Sequence, residues 1–261
     1  MCKLALIAVA AALPWTAFAF QSDFNWSGTL NPGQTLEIKG VNGSIRAELA
    51  AGNMIEVSAR KTARSSDPSS VRIEVAQSSN GVTICSVYPS DGSRDNYCES
   101  GRGGNSNVRD NDVVVDFTVK VPAGINFAPK TVNGSVTALG LRSDVDGASV
   151  NGNVRIRTTG VARAKSVNGS IEAAMGAASW SGSLDFKTVN GSIDLTLPAG
   201  VSADVHATSM SGGFASDFPV TMNGRLEERK VEGRIGAGGR DLQLKTVNGA
   251  ITLHQGDGRA L

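Results

Sequence analysis

Residues 187–193 read Lys187-Thr188-Val189-Asn190-Gly191-Ser192-Ile193, and the chain rewrites this heptapeptide repeatedly. Near-copies begin at Lys39 (KGVNGSI), Lys130 (KTVNGSV), Ala148 (ASVNGNV), Lys165 (KSVNGSI) and Lys245 (KTVNGAI). Asn-Gly is the pair best able to take positive φ, because glycine has no Cβ and asparagine tolerates the left-handed region. Each copy therefore marks a tight reversal or corner between strands. A single copy is a weak hairpin signal. The same copy recurring at a near-fixed period signals stacking.

The repeated asparagine falls at Asn133, Asn151, Asn168 and Asn190, and a degenerate copy, Ser209-Met210-Ser211-Gly212, follows. The steps to Ser211 are 18, 17, 22 and 21 residues. Thr221-Met222-Asn223-Gly224 and Thr246-Val247-Asn248-Gly249 continue the series less evenly. A turn of about 20 residues holds two or three short strands and cannot bury its apolar face alone. Stacking such turns about 4.8 Å apart builds a continuous core. The fold expected is an all-β, repeat-built solenoid, similar to a parallel β-helix. In such a stack Asn133, Asn151, Asn168, Asn190 and Asn248 form an amide ladder along the axis. Thr131, Ser149, Ser166, Thr188, Ser209 and Thr246 form a row of small hydroxyls, and Val136, Val154, Ile171 and Ile193 an aliphatic column. The rival fold is an antiparallel meander or sandwich with a two-residue hairpin at each Asn-Gly. It explains the turns, but not why the same residues flank every second one.

Strand signals fill the rest. Val113, Val115, Phe117, Val119 and Val121 alternate with polar positions until Pro122-Ala123-Gly124, which is the pattern of a half-buried strand. Val71-Arg72-Ile73-Glu74-Val75 and Ile193-Asp194-Leu195-Thr196-Leu197 repeat it. Helical periodicity is missing beyond the first residues. Residues 90–112, rich in Ser, Gly, Asn and Asp, read as a polar loop insertion. Phe214 to Arg240 reads as an elongated C-terminal hairpin that protrudes from or caps the stack, and Phe24 to Leu49 as a cover for the other end.

Lys3, the apolar run Leu4 to Leu13, Pro14 and Ala17-Phe18-Ala19 fit a signal peptide cleaved after Ala19. The expectation is a signal over 1–19 and a single β-repeat domain over 20–261, exported to the periplasm or the cell surface. No later stretch is apolar enough for a membrane-spanning helix. Two cysteines remain, Cys85 and Cys98, and in an oxidising compartment such a pair suggests a disulfide, with free thiols or a metal pair as alternatives. Two cysteines without a nearby histidine make a poor zinc site. The net charge of +1 lacks the basic surplus of a nucleic-acid binder.

Phe24-Asn25-Trp26-Ser27-Gly28-Thr29-Leu30, Gly33-Gln34-Thr35-Leu36-Glu37-Ile38 and Val41-Asn42-Gly43 resemble the start of the bacterial "putative adhesin" family of unknown function. Val121-Pro122-Ala123-Gly124 before Lys130-Thr131-Val132-Asn133-Gly134 is similar to its middle. Gly233-Arg234-Ile235-Gly236-Ala237-Gly238-Gly239 before Thr246-Val247-Asn248-Gly249 is similar to its end. The resemblance implies an exported, all-β envelope protein and carries over no catalytic residue.

Candidate chemistry is sparse. His206 and His254 lie on separate strand-like segments, and there is no Gly-x-Ser-x-Gly elbow. A carbohydrate-active β-helix enzyme needs paired carboxylates, for which Asp185 and Asp194 meeting across a corner are the candidates. Asp144 and Asp146, or Asp110 to Asp112, space oxygens as calcium loops do, but the closing Glu of the twelve-residue loop is missing. No catalytic, cofactor or metal site is assigned. Arg155, Arg157, Arg163, Lys165 and Lys187 form a candidate ridge for anionic ligands if neighbouring turns stack. The function expected is a non-catalytic envelope protein that binds an unknown macromolecule, a protein or an envelope glycan. Self-assembly through the ends of the stack and carbohydrate-active chemistry are the alternatives.

Overall fold

The computed structural model describes residues 24–90, 92, 95–101, 108–222 and 229–256. The expected signal peptide and the Asn223-Gly224 copy lie outside the described residues. Within them the chain folds into two sheets, one of ten strands and one of eleven. No helix there is long and apolar enough to cross a membrane.

Each coil of the solenoid is two strands, joined in most coils at a Val-Asn-Gly corner. The strand before the corner enters the first sheet and the strand after it enters the second. In the Asn151 coil these are Val145–Asn151 and Val154–Thr158. In the Asn168 coil they are Ala162–Lys165 and Ile171–Met175, and in the Asn190 coil Leu184–Lys187 and Ile193–Pro198. Neighbouring coils pair in parallel and in register, with Val154 against Ile171 and Ile171 against Ile193. The repeat specifies this register because a one-residue slip turns every buried side chain outward.

The apolar alternation fills the space between the sheets. Ile45, Val136, Val154, Ile171, Ile193 and Ile251 stack in one buried column of the second sheet. Opposite them, Gly147, Ala162 and Ala164 keep part of the first sheet small. A Cβ on Gly147 would crowd Ile156 and Val154 at 3.1 Å. Small residues on one wall make room for branched ones on the other, which keeps packing dense.

Stack order departs from chain order at both ends. The Asn42 coil, Thr35–Lys39 and Ile45–Leu49, lies between the Asn133 coil and the coil made by Gly81–Val87 and Val114–Val121. The Asn248 coil, Asp241–Thr246 and Ile251–Gly256, slots between the Asn190 coil and the Ser211 coil, Ala203–Ser209 and Phe214–Ser216. The degenerate copy at Ser211 does not follow Asn190 in the stack. One expectation is corrected here. Of Phe24 to Leu49, only Phe24–Gly28 sits at an end, antiparallel to Ile55–Thr62, while the remainder forms an interior coil. The C-terminal hairpin, Val220–Met222 with Lys230–Ile235, pairs antiparallel beside Ala203–Ser209 at the end of the first sheet. Arg72–Ser78 closes that sheet's other end, also antiparallel. Three of the four described sheet ends are thus finished by antiparallel strands, and the fourth by the three-residue strand Phe214–Ser216.

A row-bearing corner surface

The asparagine side chains of the corners bond from coil to coil. Asn133 donates from Nδ2 to Asn42 Oδ1 at 2.8 Å, Asn151 to Asn133 at 2.7 Å and Asn168 to Asn151 at 2.8 Å. Asn190 donates to Asn168 at 2.7 Å and Asn248 to Asn190 at 2.8 Å. Ser211 ends the row, its hydroxyl reaching Asn248 Oδ1 at 3.2 Å. The hydroxyl row does not bond to itself. Each buried Thr or Ser donates instead to the carbonyl of a neighbouring coil's corner glycine: Thr131 to Gly43 at 2.9 Å, Ser149 to Gly134 at 2.8 Å, Thr188 to Gly169 at 2.8 Å.

The glycines serve space more than dihedral freedom. A Cβ on Gly134, Gly152 or Gly169 would overlap the carbonyl oxygen of the adjacent coil's corner glycine. The corner backbones are stacked too closely for any side chain.

The valine faces out in four of the copies, whereas Val41 of the Asn42 coil is buried. Val132, Val150, Val167 and Val189 are each 37–40% exposed, and Met210 extends their row. Two residues earlier on the same outer face runs a second row. Lys39 pairs with Lys130, Lys130 with Ala148, Ala148 with Lys165, Lys165 with Lys187 and Lys187 with Lys245. Thr208 follows Lys245, and Lys230 follows Thr208. The sequence reading missed this row as a row. Its signal was the lysine three places before the asparagine in most copies.

The candidate ridge of Arg155, Arg157, Arg163, Lys165 and Lys187 does not form as one surface. Arg155 and Arg157 lie in the second sheet, both paired with Glu172, at 2.7 and 3.2 Å. Arg163, Lys165 and Lys187 lie in the first sheet. Between Arg157 and Arg163 the chain turns a corner, so nearness in sequence becomes opposite faces of the molecule. Lys187 pairs with Asp185 at 3.0 Å. Burial works against ionisation of Asp185, but the hydrogen bond and charge of Lys187 outweigh it and hold the carboxyl below its ordinary value.

The proposed carboxylate pair is separated in the same way, with Asp185 on the first sheet and Asp194 on the second. Asp194 accepts from Ser192 at 3.2 Å instead. The histidines also occupy different sheets, His206 near Asp241 and Glu232, His254 beside Asp217 at 3.1 Å. Asp144 accepts from the Val161 amide at 2.9 Å. Asp112 accepts from the amides of Arg64, Ser65 and Ser66 and the Ser65 hydroxyl. No group of three or more metal-ligating side chains gathers among the described residues.

Cys85 and Cys98 are joined, with their Cα atoms 5.6 Å apart. The bond holds residues 95–101 over the end of the lysine row. There Glu37, 5% exposed, accepts from Lys130 at 2.7 Å, Thr83 at 3.0 Å and the Gly101 amide at 2.9 Å. Lys39 donates to the Glu99 carbonyl at 2.6 Å. Desolvation lowers the Lys39 pKa, against the opposing pull of Glu37. Apart from the disulfide, none of this was read from the sequence, because Glu37 shares the inward half of no simple alternation.

A family model matches residues 34–254, which include every coil of the stack. The chain belongs to the Toastrack DUF4097 family. Among solved structures, this Toastrack chain is similar to a putative cell adhesion protein from Clostridium sporogenes at 12% identity and a TM-score of 0.47, over 89% of this chain and 99% of that one. It is also similar to a putative adhesin from Bacteroides fragilis at 15% identity and a TM-score of 0.26, over 88% and 96%. No curated relative matches the Toastrack chain.

Proposed function

We propose that this is an exported, non-catalytic protein that uses an extended solenoid surface to bind another macromolecule of the cell envelope or its surroundings. The observation carrying this reading is the repetition itself. One side of the first sheet offers outward rows of like side chains at a pitch of about 4.8 Å, over consecutive coils. A surface of that kind suits an elongated partner better than a small molecule, for which enclosure is the rule. The Cys85–Cys98 bond supports export, because disulfides persist in oxidising compartments. Antiparallel strands at three described sheet ends disfavour end-to-end growth of the stack, since an added parallel coil finds no matching edge.

The test is binding of the purified, labelled protein to fractionated cell envelopes, with sedimentation velocity over a concentration series. Saturable retention on an envelope fraction by a monomeric protein is expected. Retention on no fraction, or concentration-dependent filaments, would remove this reading. Release of reducing sugar from the retained fraction, abolished by Asp185→Ala or Asp194→Ala, would replace it with the enzymatic one.

A further inference from the structure

We infer that the lysine row and the valine and asparagine rows beside it form a track for a linear, carboxylate-bearing polysaccharide lying along the solenoid axis. This deepens the binding reading above and rests on it. Six lysines, Lys39, Lys130, Lys165, Lys187, Lys245 and Lys230, occupy one column through eight strands of the first sheet, broken only by Ala148 and Thr208. Like charges directly opposite one another in a sheet oppose folding. The corner itself does not need them. It uses the hydroxyl, asparagine and glycine, and Ala148 shows that a coil closes without lysine. A row that recurs against its own repulsion finds its use outside the fold.

The counter-charges are unevenly placed. At one end Glu37 serves Lys130 at 2.7 Å and Lys39 at 3.8 Å, and at the other Glu232 pairs with Lys230 at 2.6 Å. In the middle, Lys165, Lys187 and Lys245 are consecutive. Asp185 pairs with Lys187, and Lys165 and Lys245 form no ion pair among the described residues. Asp146 lies across from Arg163 in the adjoining column, so those two offset each other. The centre of the row therefore carries surplus positive charge in a straight line, with one cation per strand spacing.

The neighbouring rows choose among polyanions. Each ladder asparagine spends one N–H and one acceptor site along the axis, leaving a second of each for an outside partner. The valines offer a shallow apolar strip between amides and ammonium groups. A polyuronate presents this combination on one chain: a carboxylate on each ring, hydroxyls that exchange hydrogen bonds with amides, and apolar ring faces. Duplex DNA offers phosphates but little for the amides, and an anionic membrane is a plane, whereas the track is a line.

The test is affinity electrophoresis and calorimetry with polygalacturonate and alginate, against neutral dextran, phosphatidylglycerol vesicles and duplex DNA. Expected are binding to the polyuronates that weakens with added salt, and a loss of roughly tenfold or more in affinity for the combined Lys165→Gln, Lys187→Gln and Lys245→Gln variant. The combined Arg155→Gln and Arg157→Gln variant on the other sheet is expected to change affinity less than about twofold. Unchanged thermal unfolding of the lysine variant shows that the fold survives. Equal loss in both variants, no effect of the lysine changes, or stronger binding to vesicles or DNA would overturn the track. Retention on an envelope fraction without polyuronate binding would overturn this inference alone and leave the broader function standing.

Discussion

Asn248 donates its side-chain amide to Asn190 at 2.8 Å across 58 residues of chain, while Ser211, far nearer to Asn190 in sequence, lies one coil beyond. The ladder sorts the coils. A corner with asparagine accepts from one neighbour and donates to the next through two separate atoms of a long side chain, whereas Ser211 has a single, shorter-reaching hydroxyl, which is spent on Asn248. The copy without asparagine therefore belongs at an end, and the better copy is threaded inside it.

Within this ladder, Asn168→Ala removes one donated and one accepted bond, to Asn151 and from Asn190. Both are exposed, so the expected loss is about 1–2 kcal/mol in urea unfolding. Gly169→Ala places a methyl group on the Gly152 carbonyl and is expected to cost about 2–4 kcal/mol. Equal costs for the two changes would show that the corners are not tightly stacked.

The corners, strand alternation and stacking were legible because period and chemistry agree at each copy. Stack order was less so, since parallel pairing depends on matching corners and not on chain adjacency. The Arg155 to Lys187 ridge misled for a related reason: linear proximity says nothing about which sheet receives a side chain once a coil turns. The lysine row was present in the quoted heptapeptides, yet a lysine in one turn reads as an ordinary solvated residue. Only in-register stacking converts it into a line of charge. The Glu37 cluster was hidden altogether, because it joins three strands and the disulfide-held segment.

Alternation within one coil predicts opposite responses from near neighbours. Ile171 is fully buried between the Val154 and Ile193 positions, and Ile171→Ala is expected to cost about 2–5 kcal/mol. Val167, 40% exposed on the corner, is expected to tolerate Val167→Ser within about 0.5 kcal/mol. Chemical denaturation of both variants checks the pair, and a reversed order would mean that the assigned faces are wrong.

The disulfide spans 13 residues of sequence, a loop whose closure contributes about 3 kcal/mol in the chain-entropy model. Reductant should lower the unfolding midpoint of the native protein by a corresponding amount and leave a Cys85→Ala, Cys98→Ala variant unmoved. Because residues 95–101 cover Glu37 through the Gly101 amide, hydrogen exchange at Gly101 should rise on reduction. Protection unaffected by reductant would show that the segment is held by its other contacts.

Acid should weaken the fold where a carboxylate carries several backbone donors. Hydrogen bonds from the Ser66 amide and hydroxyl, and then from Ser65, hold the Asp112 carboxyl far below its ordinary value. A folded-state pKa below the unfolded one gives stability that is fully present above the unfolded value, about 3.9, and is lost as pH falls toward the folded one. Asp112→Asn keeps the size of the side chain but not its charge, so the variant should be less stable than the native protein at pH 7. The gap should narrow steadily below about pH 4, because the unfolded chain takes up its proton there while the native carboxylate is still ionised. Urea midpoints for both proteins across that range measure the difference. A gap that stays constant down to the acid limit would mean that the loop at Ser65 and Ser66 is held by shape and not by the carboxylate charge.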